Sequence, residues 1–392
     1  MRSRANDVAI IGYGEARNTI ASGRSVYDIA GEVTAGALAS AGIGIEEIDG
    51  FATCLSQTEA ANPFFSPFLA DCLGFELDWC QGMDLGGASF LAGVARAADA
   101  VRNGSCRTAI VLAADAPTTQ DQSRVGGYRP EWQWPVGLMG PPGTFGLLAS
   151  RYAAEHGLDE RALAKLAVVQ REHARLNDNA CEKLRKPLTE DEFLASRSIS
   201  DPIRLLDCVM PCDGGNALIV TSTRRARELG VSRMVHPTGY GERTNHRVRE
   251  PLADILDGGH AVAGPRALAQ AGIAPAAVRM FHPYDDFLIA VMLQLEHIGF
   301  AGRGGGARFI RDTDITFRGT LPINTGGGQI SAGQPGLAGG GLNAVEAVRQ
   351  LFNDGGARQV SGATNAMVTG IGCIPYARNW SVSNAMILES GG

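Results

Sequence analysis

The chain contains no block of lysine and arginine, and its formal net charge is −6. Both features argue against nucleic acid or an anionic membrane as the main partner. No apolar run is long enough to span a bilayer. The apolar run Val8-Ala9-Ile10-Ile11-Gly12 is too short and too soon interrupted for a signal peptide. Of eight cysteines only Cys208 and Cys212 lie close together, as C-x₃-C. With no second such pair, zinc is not expected and no metal site is assigned. Reduced thiols and a cytoplasmic location are the expectation. Gly12-Tyr13-Gly14 does not complete G-x-G-x-x-G, so no dinucleotide site is read there.

What is present describes a globular protein with a large core: 392 residues, 45% hydrophobic and 19% charged. That length suits two domains or one large duplicated one. The 51 glycines cluster at turn-like sites between apolar runs rather than forming low complexity. In order, a buried strand is expected over 7–12, ended by Gly-Tyr-Gly, then a helix over 25–41 stopped by Gly42. Residues 62–73 read as irregular. A glycine turn, Asp84-Leu85-Gly86-Gly87-Ala88-Ser89, opens a helix over 90–102, and an apolar strand follows over 108–114. This strand–helix–strand order favours a parallel sheet. Residues 116 to about 205 differ in character and read as a lid or interface. They hold the Trp- and Pro-rich 128–135 segment and the basic cluster Lys183, Arg185 and Lys186, which is either a solvated face or a phosphate-recognising loop. Asp213-Gly214-Gly215 reads as a tight turn before a strand over 217–220.

The richest glycine stretch runs from Gly319 to Glu346. A flexible linker would not carry Leu321, Ile323, Ile330 and Leu337, nor end in a helix with Val345, Val348 and Leu351 at helical spacing. Backbone packed on backbone or ligand explains it better, with N–H groups offered to a developing negative charge. A tight loop without ligand is the alternative. Its order of glycine turn, helix, Gly355-Gly356 and a strand expected at 358–360 repeats that of the 86–114 unit, which suggests a duplicated α/β unit. Two glycine turns at helix N-termini would then face each other and suit an anionic intermediate.

Five pieces resemble the thiolase superfamily, in the branch of sterol carrier protein X-type and lipid-transfer-protein thiolases: Val8–Gly14, the 86–114 unit, Cys212–Ala217, Tyr284-Asp285-Asp286-Phe287, and Asn324–Pro335. The resemblance implies a duplicated five-layered α-β-α-β-α sandwich, a homodimer and coenzyme A thioesters as substrates. It divides the chain into an N-terminal half, 1–230, with an inserted loop region at about 116–205, and a C-terminal half, 231–392. The departures are informative. The turn that should carry a nucleophilic cysteine reads Asp84–Ser89, with Cys80 before it. Tyr284 stands for a histidine and Gln334 for another, and Cys373 lies a few residues late. Acyl transfer needs an activated thiolate. The pattern is similar to thiolase-like steroid side-chain aldolases that pair with a small DUF35 OB-fold protein, giving a heterotetramer. These cleave a β-hydroxyacyl-CoA without a covalent acyl-enzyme.

The candidate residues follow. Tyr284 is the acid or base, and its ordinary pKa of about 10 suits a donor. Gln334 donates to the thioester oxygen. Asp285 orients Tyr284 or caps the following helix. His282 is on the same side as Tyr284 if the segment is extended, and is either a base or structural. A second tyrosine is assigned to Tyr376 or Tyr240. Gly86, Gly87, Ser89, Asn324, Gly327, Gly328 and Gly333 form the thioester cradle, with no bound cofactor beyond the substrate's coenzyme A. A thiolase-like acyltransferase and a non-catalytic acyl-CoA-binding subunit are the alternatives.

Overall fold

The computed structural model describes residues 6–120, 130–138, 140–250, 254–374 and 379–391. The strands are β1 (Val8–Thr19), β2 (Gly50–Cys54), β3 (Trp79–Met83), β4 (Thr108–Asp115), β5 (Ser198–Ser200), β6 (Ile203–Arg204), β7 (Asp213–Ser222), β8 (Val235–Thr244), β9 (Phe281–His282), β10 (Asn365–Gly372) and β11 (Val382–Ser390). The helices are α1 (Val26–Ala41), α2 (Phe65–Cys72), α3 (Ser89–Asn103), α4 (Pro130–Gln133), α5 (Pro141–His156), α6 (Glu160–Arg175), α7 (Glu190–Leu194), α8 (Thr223–Glu228), α9 (His260–Ala271), α10 (Leu288–Ile298), α11 (Gly306–Asp312), α12 (Gly328–Ala332) and α13 (Gly339–Leu351).

One sheet runs β3-β2-β4-β7-β1-β8-β11-β10-β9. Its two runs meet at one register pair, Ile10 with Val235. Outward from that seam the order β1-β7-β4-β2 is matched by β8-β11-β10-β9, with antiparallel inner pairs and a parallel outer pair in each. The layers follow from the period of two. In β4, Ile110, Leu112 and Ala114 face α1 residues such as Ile29 and Val33. Between them Ala109, Val111 and Ala113 face Phe90 and Val94 of α3 and Val345 of α13. In β10, Ala366 and Val368 face the same centre, and Met367 and Ile371 face the cluster holding α10. Helices α3 and α13 therefore lie between two sheet faces, and α1 and α10 cover the outsides: five layers, α-β-α-β-α, as the resemblance implied.

Every residue of α13 is buried, including two charged ones. Glu346 is satisfied by Arg349 at 2.7 Å and Arg358 at 2.9 Å, and accepts from Thr325 Oγ1 at 2.9 Å. Arg349 also reaches Glu15 at 2.6 Å. The two guanidiniums hold the Glu346 carboxyl far below its usual range despite burial. This network ties the loop after Asn324 to the central helix.

Several local expectations are corrected. The first strand does not stop at Gly12 but continues to Thr19, because Gly12 and Gly14 let α1 backbone approach: a Cβ at Gly14 would lie 1.9 Å from the Val33 carbonyl oxygen. Asp213-Gly214-Gly215 is no turn but the start of β7. Residues 65–72, read as irregular, are helical. The strand expected at 358–360 is absent there: a 3-10 turn spans Gly356–Arg358 and the strand begins at Asn365. Helix α13 starts at the glycines rather than after them.

Candidate active site

The site forms where the N-termini of α3 and α13 approach each other. A Cβ on Gly340 would lie 2.2 Å from the Gly87 carbonyl oxygen, so the two glycine turns touch through backbone. The sheet holds them symmetrically. Asn216 of β7 donates from Nδ2 to the Ala338 carbonyl at 3.0 Å, and Asn384 of β11 donates to the Ala88 carbonyl at 2.8 Å. Each half's last strand thus anchors the other half's helix turn.

Tyr284 enters from the exit of β9. Its N–H donates to Thr369 Oγ1 at 2.9 Å and its carbonyl accepts from Gln294 Nε2 at 2.8 Å. Those bonds fix the ring across Gly87, where a Cβ would fall 2.2 Å from the phenol oxygen. Burial, then the neighbouring Asp286 carboxylate, raises the phenol's pKa well above its ordinary value. Tyr284 keeps its proton at neutral pH, which suits a donor rather than a base.

Gln334 is half-buried and donates from Nε2 to Gln329 Oε1 at 3.2 Å. Gln334 and, less strongly, Gln329 both act on the phenol, and Gln329 is fully buried with no normal hydrogen-bond partner for its Nε2. Both amides therefore border the phenol, Gln334 as expected and Gln329, which sequence reasoning left unmarked inside its own motif. A glycine at 339 gives it room, since a Cβ there would sit 2.3 Å from Gln329 Oε1.

Asp286 was likewise passed over. It is 8% exposed, its Oδ1 has no hydrogen-bond partner, and burial followed by the Asp285 charge pushes its pKa up to about 8. Beside it Cys208 bridges to Phe287, and Phe287 stacks on Phe145 at 4.3 Å. A buried carboxyl with one unpartnered oxygen, close enough to act on the phenol through its charge, gives two groups that could serve as acid and base.

The other expected residues lie elsewhere. Asp285 caps neither the following helix α10 nor Tyr284. It accepts from Gln329 N at 3.0 Å, Ile330 N at 3.3 Å and Gln170 Nε2 at 2.7 Å, so it caps α12, and burial raises its pKa to about 7. Gly328 must be glycine there, with φ +61 and Asp285 Oδ2 2.0 Å from a Cβ position. His282 is fully buried with neither ring nitrogen hydrogen-bonded, near Glu346 and His173, and burial lowers its pKa to about 4. Ser89 is buried and its Oγ accepts from Leu85 N at 2.8 Å, closing its own turn. Gly86 packs on Gly372 and Cys373, placing a free cysteine beside the turn. Asn324 lies behind the site, donating to the Pro283 carbonyl at 3.1 Å. Gly327 packs on Ala174, and Gly333 on Cys212. Tyr240 is engaged by Arg96 and Glu242, one hydrogen bond from the turn through Asn384. Tyr376 lies outside the described residues, as do Tyr128 and Arg129 of the Trp- and Pro-rich segment. Among the described residues no group of three or more His, Cys, Asp or Glu could hold a metal ion, and no helix is long and apolar enough to cross a membrane.

Two sheet faces around paired central helices, with facing glycine turns, define a thiolase fold. The Thiolase C-terminal domain-like family model matches residues 241–388. A steroid side-chain-cleaving aldolase of Thermomonospora curvata is 30% identical over 92% of this chain and 94% of its own. The 17-hydroxy-3-oxo-4-pregnene-20-carboxyl-CoA lyase of Mycobacterium tuberculosis is 32% identical, covering 93% and 96%. A solved Ltp2-ChsH2(DUF35) aldolase superposes with TM-score 0.82 at 29% identity, covering 98% of both chains. The chain belongs to the thiolase superfamily, in its branch of thiolase-like carbon–carbon lyases.

Proposed function

We propose that this chain cleaves a β-hydroxyacyl-CoA, of the steroid side-chain class, by a retro-aldol reaction. The observation that carries the reading is the Tyr284 phenol, held protonated across Gly87 and within reach of the charge of Asp286, whose Oδ1 has no partner. Asp286 takes the β-hydroxyl proton, the Cα–Cβ bond breaks, and a ketone or aldehyde leaves. Its electron pair becomes a thioester enolate. Gln329 Nε2 and the α3 N-terminus stabilise the enolate oxygen, and Tyr284 supplies the proton to carbon. No covalent acyl-enzyme is required.

The names of the relatives support the substrate class, and the solved aldolase with a DUF35 component supports a small partner of that type. The edge strand β3 alternates half-buried and exposed residues, which suits pairing with a second copy and a heterotetramer with two partners. Eight free cysteines suit the cytoplasm.

The test is incubation with a β-hydroxyacyl-CoA, with and without the co-expressed partner. A carbonyl product plus a shortened acyl-CoA is expected, and Cys373→Ser retains the activity. Acyl exchange that iodoacetamide abolishes, or its loss in Cys373→Ser, would instead assign a thiolase-like acyltransferase.

A further inference from the structure

A cleft of about 1030 Å³ opens where the C-terminus of α6, the 182–186 loop and the 316–318 turn converge. Arg17, Arg175, Arg185, Lys186 and Arg318 line it, with Glu172 and Glu182 as its carboxylates. A smaller cleft of about 430 Å³ shares Arg17, Glu182 and Lys186 and adds Lys183. The basic cluster noted in the sequence therefore forms one wall of a cavity on a chain whose net charge is −6.

Only part of this charge is spent. Arg185 pairs with Asp178 at 2.9 Å, and Arg17 with Glu182 at 3.7 Å. Arg318 lies over the Phe317 ring at 4.5 Å, which steadies it without neutralising it. Among the described residues Arg175, Lys186 and Arg318 form no ion pair.

Tyr284 does not line the cleft. His173, buried at its floor, accepts from Phe317 N at 3.0 Å and bonds the Asn324 carbonyl at 3.1 Å. Asn324 in turn holds the Pro283 carbonyl, so a run of hydrogen-bonded residues lies between the cleft floor and the segment that carries Tyr284.

We infer that this cleft binds a phosphate-bearing anion of the nucleotide class, at a site distinct from that of the thioester. Guanidinium and ammonium groups converging from three segments match several phosphate oxygens at once, which a single surface lysine cannot. The occupant is a free nucleotide, and the test separates it from the adenosine bisphosphate end of the substrate's coenzyme A.

The test is calorimetric titration of the full chain with adenosine 3′,5′-bisphosphate, free and after saturation with a CoA thioester. One site is expected, unaffected by the thioester and weakened about tenfold each by Lys186→Glu and Arg318→Glu. Both positions are exposed, so the fold is not at risk. Circular dichroism of each variant checks this. No binding, unchanged affinity in both charge reversals, or displacement by the thioester overturns the inference. Displacement would assign the cleft to the substrate's own nucleotide. None of these results bears on retro-aldol cleavage at Tyr284.

Discussion

Substituting Gly87 by alanine puts a single methyl group where the Tyr284 phenol lies. The added Cβ would fall 2.2 Å from the phenol oxygen, 2.3 Å from Cζ and 2.4 Å from Cε2, whereas ordinary contact begins at 3.4 Å. Gly87 carries no left-handed φ, so alanine is not strained by its backbone. The clash must be relieved by moving the ring roughly 1 Å, since the turn is pinned by Asn384 and Gly340. Overpacking of this kind costs about 1–3 kcal/mol of stability, which leaves a large domain folded. Catalysis is far more sensitive, because a displacement of about 1 Å of a positioned group costs on the order of 10²-fold, or about 2.7 kcal/mol of barrier. Steady-state kinetics with a β-hydroxyacyl-CoA should therefore show kcat lower by about 10²-fold, with a small change in KM and a cooperative melt only a few degrees lower. The double variant Gly87→Ala, Tyr284→Phe should be little worse than Tyr284→Phe alone, because both act on one group. Full activity in Gly87→Ala would refute the placement of the phenol in the reaction.

Tyr284→Phe removes the donor while keeping the ring, and kcat should fall by about 10²–10⁴-fold with KM nearly unchanged, as read by initial rates. Asp286, pushed up to about 8, is a base only when ionised, so kcat should rise with pH through that value and Asp286→Asn should abolish the limb along with most activity. The same group makes stability fall as pH rises from about 4 to about 8, since over that window the folded state keeps a proton that the unfolded chain has lost. Asp286→Asn should flatten that slope in denaturant melts. Glu346→Gln leaves Arg349 and Arg358 buried without their shared carboxylate, and chemical denaturation should show a loss of about 3–5 kcal/mol.

What the sequence disclosed was periodic or compositional. The continuous apolar run of β4 and the helical spacing of Val345, Val348 and Leu351 were readable, and so was the recurrence of glycine turn, helix and strand. What it hid was tertiary. Gly12 and Gly14 look like strand terminators, yet they are the price of close approach by α1, visible only once α1 is in place. His282 lies in the same short segment as Tyr284, yet it faces the Glu346 side while the phenol crosses Gly87. Gln334 was marked as the donor because it replaces an expected histidine. A second amide beside the phenol, Gln329, is five residues earlier, and only the hydrogen bond from Gln334 to Gln329 reveals it.

The repeat also explains why a symmetric frame yields one reactive corner. Strands β4 and β10 occupy matching places, and one ends in Asp115, the other in Gly372. Asp115 is fully buried and accepts from Ser56 Oγ at 2.8 Å, Gln57 N at 2.9 Å and Leu337 N at 3.0 Å. It thereby welds the exit of β2 to the turn before α13 and leaves no oxygen free. At the matching corner Gly372 brings only backbone against Leu85, and the exit of β9 delivers Tyr284 and Asp286. A carboxylate with every oxygen engaged is cement, whereas one with an unpartnered oxygen near a protonated phenol is free for the role proposed for Asp286. The two corners thus use matching geometry for opposite ends, and the corner whose polar groups remain unsatisfied is the one to which we assign the proposed chemistry.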